Sequence, residues 1–270
     1  MSRFSHYPFG VLFRAILSRY FLSRISFIIP DKHFLISYYG GKIYLNLRES
    51  HMMRDRALGV YEYWKTQLVM DVVKPGMTVV DVGVNKGYFS LLFAKLMNDY
   101  GKVLSFEPDP TNCYWIRKSI EANNYKSIKL FQLALSDNDG TASFYPGKKS
   151  GWGSLFFSPY GSTPTQKPII VKTRKLDDLL NEQRIDSIDI IKIDVEGADL
   201  MVLKGAHSTL ERCKHVIMDI DVKSEEAKKQ IFNILSSYGF RIYRIGRKLT
   251  FINETAELGE GKDIYATKVE

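Results

Sequence analysis

Cysteine is nearly absent: Cys113 and Cys213 are the only two in 270 residues. Two isolated thiols on predicted helices build neither a disulfide framework nor a metal-ligand spacing, so a reducing, cytoplasmic setting is expected. Unbroken apolar runs are missing too. The longest apolar region, Phe9 to Ile29, is cut by Arg14, Arg19 and Arg24. That excludes an ordinary membrane span, which needs roughly 20 mostly apolar residues. The same arginines, with no small-residue cleavage site after them, argue against a secretory signal. There is no Gly-x-Gly-x-x-Gly triplet and no Pro-Pro pair, and neither cysteine follows a proline.

What is present is the composition of an ordinary folded chain, 45% hydrophobic and 25% charged, with enough length for one large core. The net charge of +8 is uneven. Residues 1–70 hold 10 Lys and Arg against 4 Asp and Glu, which places +6 in the first quarter. Such a basic surface faces an anionic membrane, a nucleic acid or an acidic substrate, or is simply solvated.

Residues 1–50 read as a basic N-terminal extension and residues 51–270 as one catalytic-type α/β domain. The stretch 9–29 is helical, packed on the protein or a partner, or else a peripheral membrane contact made through residues 1–29. A hairpin over 33–47 should turn at Gly40-Gly41. Ala57, Leu58, Tyr61, Trp64, Leu68 and Val72 predict one helix ending at Pro75-Gly76. From residue 77 strands and helices alternate, with a helix entered at Pro110-Thr111 where Thr111 caps the free amides. Two last strands, near 240–246 and 263–268, should pair antiparallel. The fold class is therefore α/β, a doubly wound, mostly parallel Rossmann-like sheet. Residues 140–174, rich in Gly and Pro, interrupt the alternation as a long loop, and long loops in compact domains are usually functional. Trp152 and Ser154 within it are expected to cover a substrate.

Val79 to Ser90 reads as a buried strand, a glycine turn and a helix start, and Glu107 follows the next apolar run. That is the layout of a nucleoside-binding domain: glycines let the backbone approach the ligand, and a carboxylate accepts from ribose hydroxyls. The spacing is Asp81-x-Gly83-x-Asn85-x-Gly87, without the third glycine a pyrophosphate wants. The run Ile188 to Gly197 is stranger. A central parallel strand is buried on both faces and should be continuously apolar. Here Lys192, Asp194 and Glu196 alternate with Ile191, Ile193 and Val195. Unpaired buried charges cost several kcal/mol, so these side chains either reach a crevice or pair, as a Lys192–Asp194 ion pair would. Asp219 and Asp221 repeat the pattern. With Asp194 they form a carboxylate set that suits Mg²⁺, but no His or Asn accompanies them and no metal site is assigned.

Five segments in order carry a resemblance. Val80-Asp81-Val82-Gly83-Val84-Asn85-Lys86-Gly87-Tyr88-Phe89-Ser90, Phe106-Glu107-Pro108, Ala134-Leu135-Ser136-Asp137, Leu176-Asp177-Asp178-Leu179 and Ile191-Lys192-Ile193-Asp194-Val195-Glu196-Gly197-Ala198-Asp199 resemble the FkbM family of S-adenosylmethionine-dependent methyltransferases. The family usually has Ala where Val84 stands and Glu at Asp199 and Asp219. The resemblance implies a seven-stranded class I methyltransferase sheet with one antiparallel strand. It implies O-methylation of a hydroxyl on a sugar, glycan, lipid-linked or polyketide-like metabolite. By position, Asp81, Gly83, Asn85 and Gly87 would hold the methionine part of the donor, Glu107 its ribose, and Ser136 and Asp137 its adenine. Lys192, Asp194 and Glu196 are the catalytic candidates, and Trp152, Ser154 and Asp219 the acceptor-side ones. A nicotinamide oxidoreductase would want the missing glycine triplet. A nucleic-acid methyltransferase would want Pro-Pro or a proline-flanked cysteine, so a nucleic-acid partner is not expected. A non-catalytic, membrane-docking scaffold remains the other reading. No oligomeric state is assigned.

Overall fold

The computed structural model describes residues 8–147, 153–155, 167–222, 224–258 and 263–268. Trp152, expected at the substrate, lies outside the described residues.

The N-terminal segment is helical: α1 (Phe9–Ile16), a π-helical stretch (Leu17–Phe21), α2 (Leu22–Arg24) and a 3-10 turn (Ser26–Ile28). Val11 and Ala15 pack on Leu58, Val60 and Tyr63. Phe9, Phe13, Ile16, Tyr20, Phe21, Phe27 and Ile28 stay exposed. No helix among the described residues is long and apolar enough to cross a membrane. Strands β1 (Phe34–Tyr38) and β2 (Gly41–Leu45) form the expected hairpin. It turns one residue earlier than the glycine pair suggested, with Tyr39 at φ 41° and Gly40 at φ 77°. Two positive φ angles match the twist of a two-residue hairpin, which frees Gly41 to start β2. Ile43 and Leu45 share one core with Val79, Leu91 and Val103, so the hairpin is built into the domain.

The single helix expected over 57–72 is two, α3 (His51–Ala57) and α4 (Tyr63–Val72). Gly59 at φ 65° and Glu62 at φ 41° break the path between them. The break also rotates the second helix. Its buried residues are Lys65, Thr66 and Val69, not the Trp64 and Leu68 stripe.

The alternation that follows is β3 (Thr78–Val82), α5 (Tyr88–Leu96), β4 (Lys102–Phe106), α6 (Pro110–Asn123), β5 (Ile128–Phe131), β6 (Ala134–Leu135), β7 (Gly140–Phe144), β8 (Ile169–Arg174), α7 (Leu176–Glu182) and β9 (Ile190–Ile193). It continues with α8 (Asp199–Lys204), α9 (His207–Arg212), β10 (His215–Asp219), α10 (Glu225–Ser237), β11 (Phe240–Arg244), β12 (Thr250–Phe251) and β13 (Asp263–Lys268). Asp109, not Thr111, caps α6 by accepting from the amides of Thr111 and Asn112, and Pro110 takes the first helical position where no amide is needed. Two short helices, α8 and α9, follow β9 and are separated at Gly205-Ala206. Gly205 lies so close to Ser136 that a Cβ there would sit 2.0 Å from its carbonyl oxygen.

The main sheet runs β12-β11-β13-β10-β9-β3-β4-β5. Seven of these strands are the expected ones, with β13 antiparallel to β10 and β11, and the two-residue β12 adds an eighth at the edge. The ends of the long-loop region are β7 and β8, which join β6 in a separate three-stranded sheet, β6-β8-β7. Apolar side chains fill both faces. Val80, Val82, Leu104 and Ile191 face the core shared with α7 and α10. Val79, Val103, Ile190 and Ile217 face the core shared with α5 and the hairpin. β4 lies on one side of β3 and β9 on the other, so strand order reverses at β3 and a crevice opens at the carboxyl ends of β3 and β9.

Candidate functional site

Period two decides which residues of the parallel strands face that crevice. Val79 faces the α5 side, so Asp81 does as well. Register then aligns its neighbours: Asp81 sits opposite Ser105 on β4 and opposite Lys192 on β9. Ser90 from α5 closes over this row, donating to Asp81 Oδ2 at 2.6 Å and lying 2.8 Å from Ser105 Oγ. Lys192 Nζ is 3.3 Å from Asp81 Oδ1 and 3.4 Å from Asp194 Oδ2, and 5.2 Å from the centre of the Phe89 ring. Lys192 is 3% exposed and Asp81 0%, so this is a buried pair and Asp81 lies beneath the site, not on its surface.

A cavity of about 620 Å³ opens above the pair, within the size range of small-molecule sites. Gly83, Asn85, Glu107, Ser154, Lys192, Asp194, Glu196 and Asp219 all line it. Asp81, Gly87, Ser136 and Asp137 are not among its lining residues; on the expected adenine side the wall is Leu133, Ala134 and Leu135. Ser136 is buried, its amide donating to Arg174 O. Gly83 has an unexpected role. At φ 76° it packs so tightly on the end of β9 that a Cβ would lie 1.8 Å from the Asp194 carbonyl oxygen. The glycine is required by strand packing as well as by any ligand.

Glu107 directly follows β4 and is buried. It accepts from the Asn85 amide at 2.7 Å, the Asp109 amide at 3.0 Å and Asn112 Nδ2 at 3.3 Å. A carboxylate has about four lone-pair positions. Three are filled, two on Oε1 and one on Oε2, which leaves one on Oε2 for a ligand hydroxyl. Burial pushes the Glu107 carboxyl up to about 7, against the hydrogen bonds from Asp109, Asn85 and Asn112. Lys86 braces Asn112, with Nζ 3.0 Å from its Oδ1 and 3.4 Å from Glu49.

On the other side of Lys192 the sheet edge is acidic. Asp219 on β10 stands directly opposite Asp263 on β13. Lys65 from α4 enters here, 1% exposed, at 2.5 Å from Asp263 and 2.8 Å from Glu62. Burial acts to raise the Asp194 carboxyl, but Lys192, Lys65 and Arg56 outweigh it and hold Asp194 below its ordinary value. Asp219 goes the other way. Burial, together with Asp263, Asp194 and Glu62, lifts it to about 7 despite Lys65. Lys192 stays protonated, since Asp81 and Asp194 overcome its burial. Glu196 adopts φ 42°, so it leaves the strand alternation, and its carbonyl accepts from Ser154 Oγ at 2.7 Å. Ser154 is thereby tied to the site, and Pro146, Gly147 and Leu155 of the same long loop also line the cavity.

Lys65, Arg56 and Asp263 were not singled out from the sequence. One signal for Lys65 was available: it falls four residues after Tyr61, inside a helix whose apolar spacing was already noted. Asp263 offered none, because only sheet order brings β13 beside β10. Among the described residues no group of three or more His, Cys, Asp or Glu is arranged to hold a metal ion.

A sequence profile described as the Methyltransferase FkbM domain matches residues 81–242. The 2-O-methyltransferase NoeI of Sinorhizobium fredii is 32% identical over 162 residues, covering 56% of this chain and 65% of the relative. The hexuronic acid methyltransferase AglP of Haloferax volcanii is 27% identical over 154 residues, covering 57% of this chain and 60% of the relative. The chain thus spans less than two thirds of each of these relatives. A crystal structure described as methyltransferase FkbM from Methylobacillus flagellatus KT aligns at TM-score 0.47 and 15% identity, over 80% of this chain and 54% of that one.

Proposed function

The chain belongs to the FkbM methyltransferase family, and from that premise we propose that it is an S-adenosylmethionine-dependent O-methyltransferase acting on a small-molecule, glycan or lipid-linked hydroxyl. The observation that carries this reading is that Glu107, the Gly83–Asn85 turn and Asp194 line a single cavity at the carboxyl ends of adjacent strands. One relative is a 2-O-methyltransferase, which supports transfer to a hydroxyl oxygen, and another is a hexuronic acid methyltransferase, which supports a sugar acceptor.

The residues suit the donor. The free lone pair on Glu107 Oε2 can accept from a ribose hydroxyl, and the carboxylates around Lys192 favour a positive sulfonium. The apolar wall of Leu133 and Leu135 suits the adenine. When bound, S-adenosylmethionine supplies an electrophilic methyl group on positively charged sulfur. The chain itself supplies alignment of an acceptor oxygen and removal of its proton. We assign proton acceptance to Asp219 in preference to Asp194. A carboxylate held low by Lys192 is a weak base, whereas one at about 7 is matched to neutral operation. Asp194 and Glu196 then orient and compensate charge, and Lys192 fixes Asp194.

Calorimetry with S-adenosylhomocysteine tests the donor site. The Glu107 carboxyl sits at about 7 in the free protein, and its ionised form accepts a charge-assisted hydrogen bond roughly twice as strong as its neutral form does. Affinity is therefore level above pH 8 and weakens as pH falls below 7. Glu107→Gln binds weakly and without this pH dependence. A flat profile in the unaltered protein refutes the assignment.

The base assignment is read from kcat at saturating donor. Asp219→Asn should lower kcat by about a hundredfold or more while leaving S-adenosylhomocysteine affinity within about threefold. Because a base works only when deprotonated, the unaltered enzyme gains rate as pH rises through about 7, and Asp219→Asn lacks that limb. If Asp194→Asn erases the limb instead, the roles are exchanged.

We also propose peripheral membrane contact through the N-terminal helices. Their exposed Phe9, Phe13, Tyr20 and Phe27 lie in the basic first quarter of the chain, which suits an acceptor held at an anionic lipid surface. The two buried free thiols fit a cytoplasmic setting.

A further inference from the structure

Three cations that line the cavity are matched by acids. Arg19 lies 3.3 Å from Asp55, Lys86 3.4 Å from Glu49 and Lys192 3.4 Å from Asp194, and Lys65 behind them is 2.8 Å from Glu62. Arg56 is different. It lines the cavity and is 4% exposed, yet among the described residues no carboxylate oxygen comes within 4.0 Å of it. Among the described residues its Nε is buried without a hydrogen-bond partner, and its one side-chain hydrogen bond is a weak one, from Nη1 to the Met53 sulfur at 3.9 Å. The guanidinium is held in place all the same, with Cζ 3.9 Å from the centre of the Tyr61 ring. A stacked guanidinium has its fork of N–H donors preorganised at little entropic cost, and that fork matches a carboxylate in a bidentate way. Desolvation without an acceptor is costly, so the arrangement fits a ligand that completes it. Arg56 and Asp194 line the same cavity, and Arg56 is one of the charges that hold Asp194 low.

We propose that Arg56, stacked on Tyr61, is the docking point for a carboxylate carried by a bound ligand. Two sources share this chemistry: the amino-acid end of the donor and an acidic sugar acceptor. The inference deepens the methyltransferase reading and rests on it for the choice of ligands.

The test compares the unaltered protein, Arg56→Gln and Arg56→Lys by calorimetry. The probes are S-adenosylhomocysteine, 5′-methylthioadenosine (which lacks the amino acid), and glucuronate against glucose. If the donor is the source, Arg56→Gln weakens S-adenosylhomocysteine about ten- to a hundredfold and leaves methylthioadenosine unchanged. If the acceptor is the source, glucuronate binding is lost, glucose is indifferent to the change, and S-adenosylhomocysteine is unaffected. Arg56→Lys keeps the charge without the fork and falls between the two; should Arg56→Gln not fold, it carries the same comparisons. Equal binding of all probes by both proteins overturns the proposal, as does an equal loss of S-adenosylhomocysteine and methylthioadenosine. Arg56-dependent glucuronate binding in a protein that takes up no S-adenosylhomocysteine sinks the methyltransferase reading and keeps this one. A protein that binds none of the probes sinks both.

Discussion

Lys192→Met is expected to lower the unfolding free energy by about 3–5 kcal/mol, the usual cost of stranding one partner of a buried ion pair. The reason lies in Asp81, which is 0% exposed and has Lys192 at 3.3 Å. Without the ammonium, Asp81 keeps, among the described residues, only the Ser90 hydroxyl at 2.6 Å. Asp194 suffers less, since its side chain is 24% exposed and water can take over. A methionine of similar length fills the space over Phe89, so lost packing is a minor contribution. The double change Asp81→Asn with Lys192→Met should recover part of the loss, because it removes the stranded charge. Urea denaturation of the three proteins checks this. A loss below about 1 kcal/mol in Lys192→Met, or no recovery in the double variant, would show that the pair does not hold the two strand ends together.

Gly83→Ala is expected to be as damaging, through backbone. The added methyl would sit 1.8 Å from the Asp194 carbonyl oxygen and 2.8 Å from its carbon, and neither atom belongs to a side chain that can swing away. The residue is also at φ 76°, where a Cβ adds about 1–2 kcal/mol. Separating the ends of β3 and β9 would break the Asp194 amide bond to Val82 O at 3.0 Å. A loss of more than about 4 kcal/mol, or no soluble protein, is the expected result. Gly87→Ala is the control. It shares a positive φ of 89°, but its nearest neighbour, Ile116, is 3.5 Å away, an ordinary contact. It should cost only the conformational 1–2 kcal/mol or so. Equal losses at the two positions would mean that φ alone matters and the close approach does not.

Most of the fold could be read from local pattern. The order of strands and helices from Thr78 onward follows from apolar periodicity broken by glycine and proline, and each element keeps that pattern wherever it packs. The place of Glu107 on the cavity was legible because an acid that directly follows a parallel strand, next to a glycine turn, falls at the carboxyl end of the sheet. Lys192 and Asp194 were legible as an anomaly, since charge on a central strand demands either a partner or a crevice. The structure supplies both. The split between α3 and α4 was less legible, because two positive φ angles at Gly59 and Glu62 reset the helical phase and turned Lys65 inward.

The sequence by itself determined the alternating α/β order, the buried faces of the parallel strands and the presence of acids at their carboxyl ends. These depend on side-chain period and on neighbours a few residues away. Tertiary structure alone decided which charges meet. Register put Asp81 against Lys192, sheet order put Asp263 against Asp219, and the rotation of α4 delivered Lys65 to Asp263. The strength of a carboxylate as a base depends on charges within a few ångströms in a dry medium. Asp194 and Asp219, alike in sequence at their strand ends, therefore differ in proton affinity only once the chain has folded.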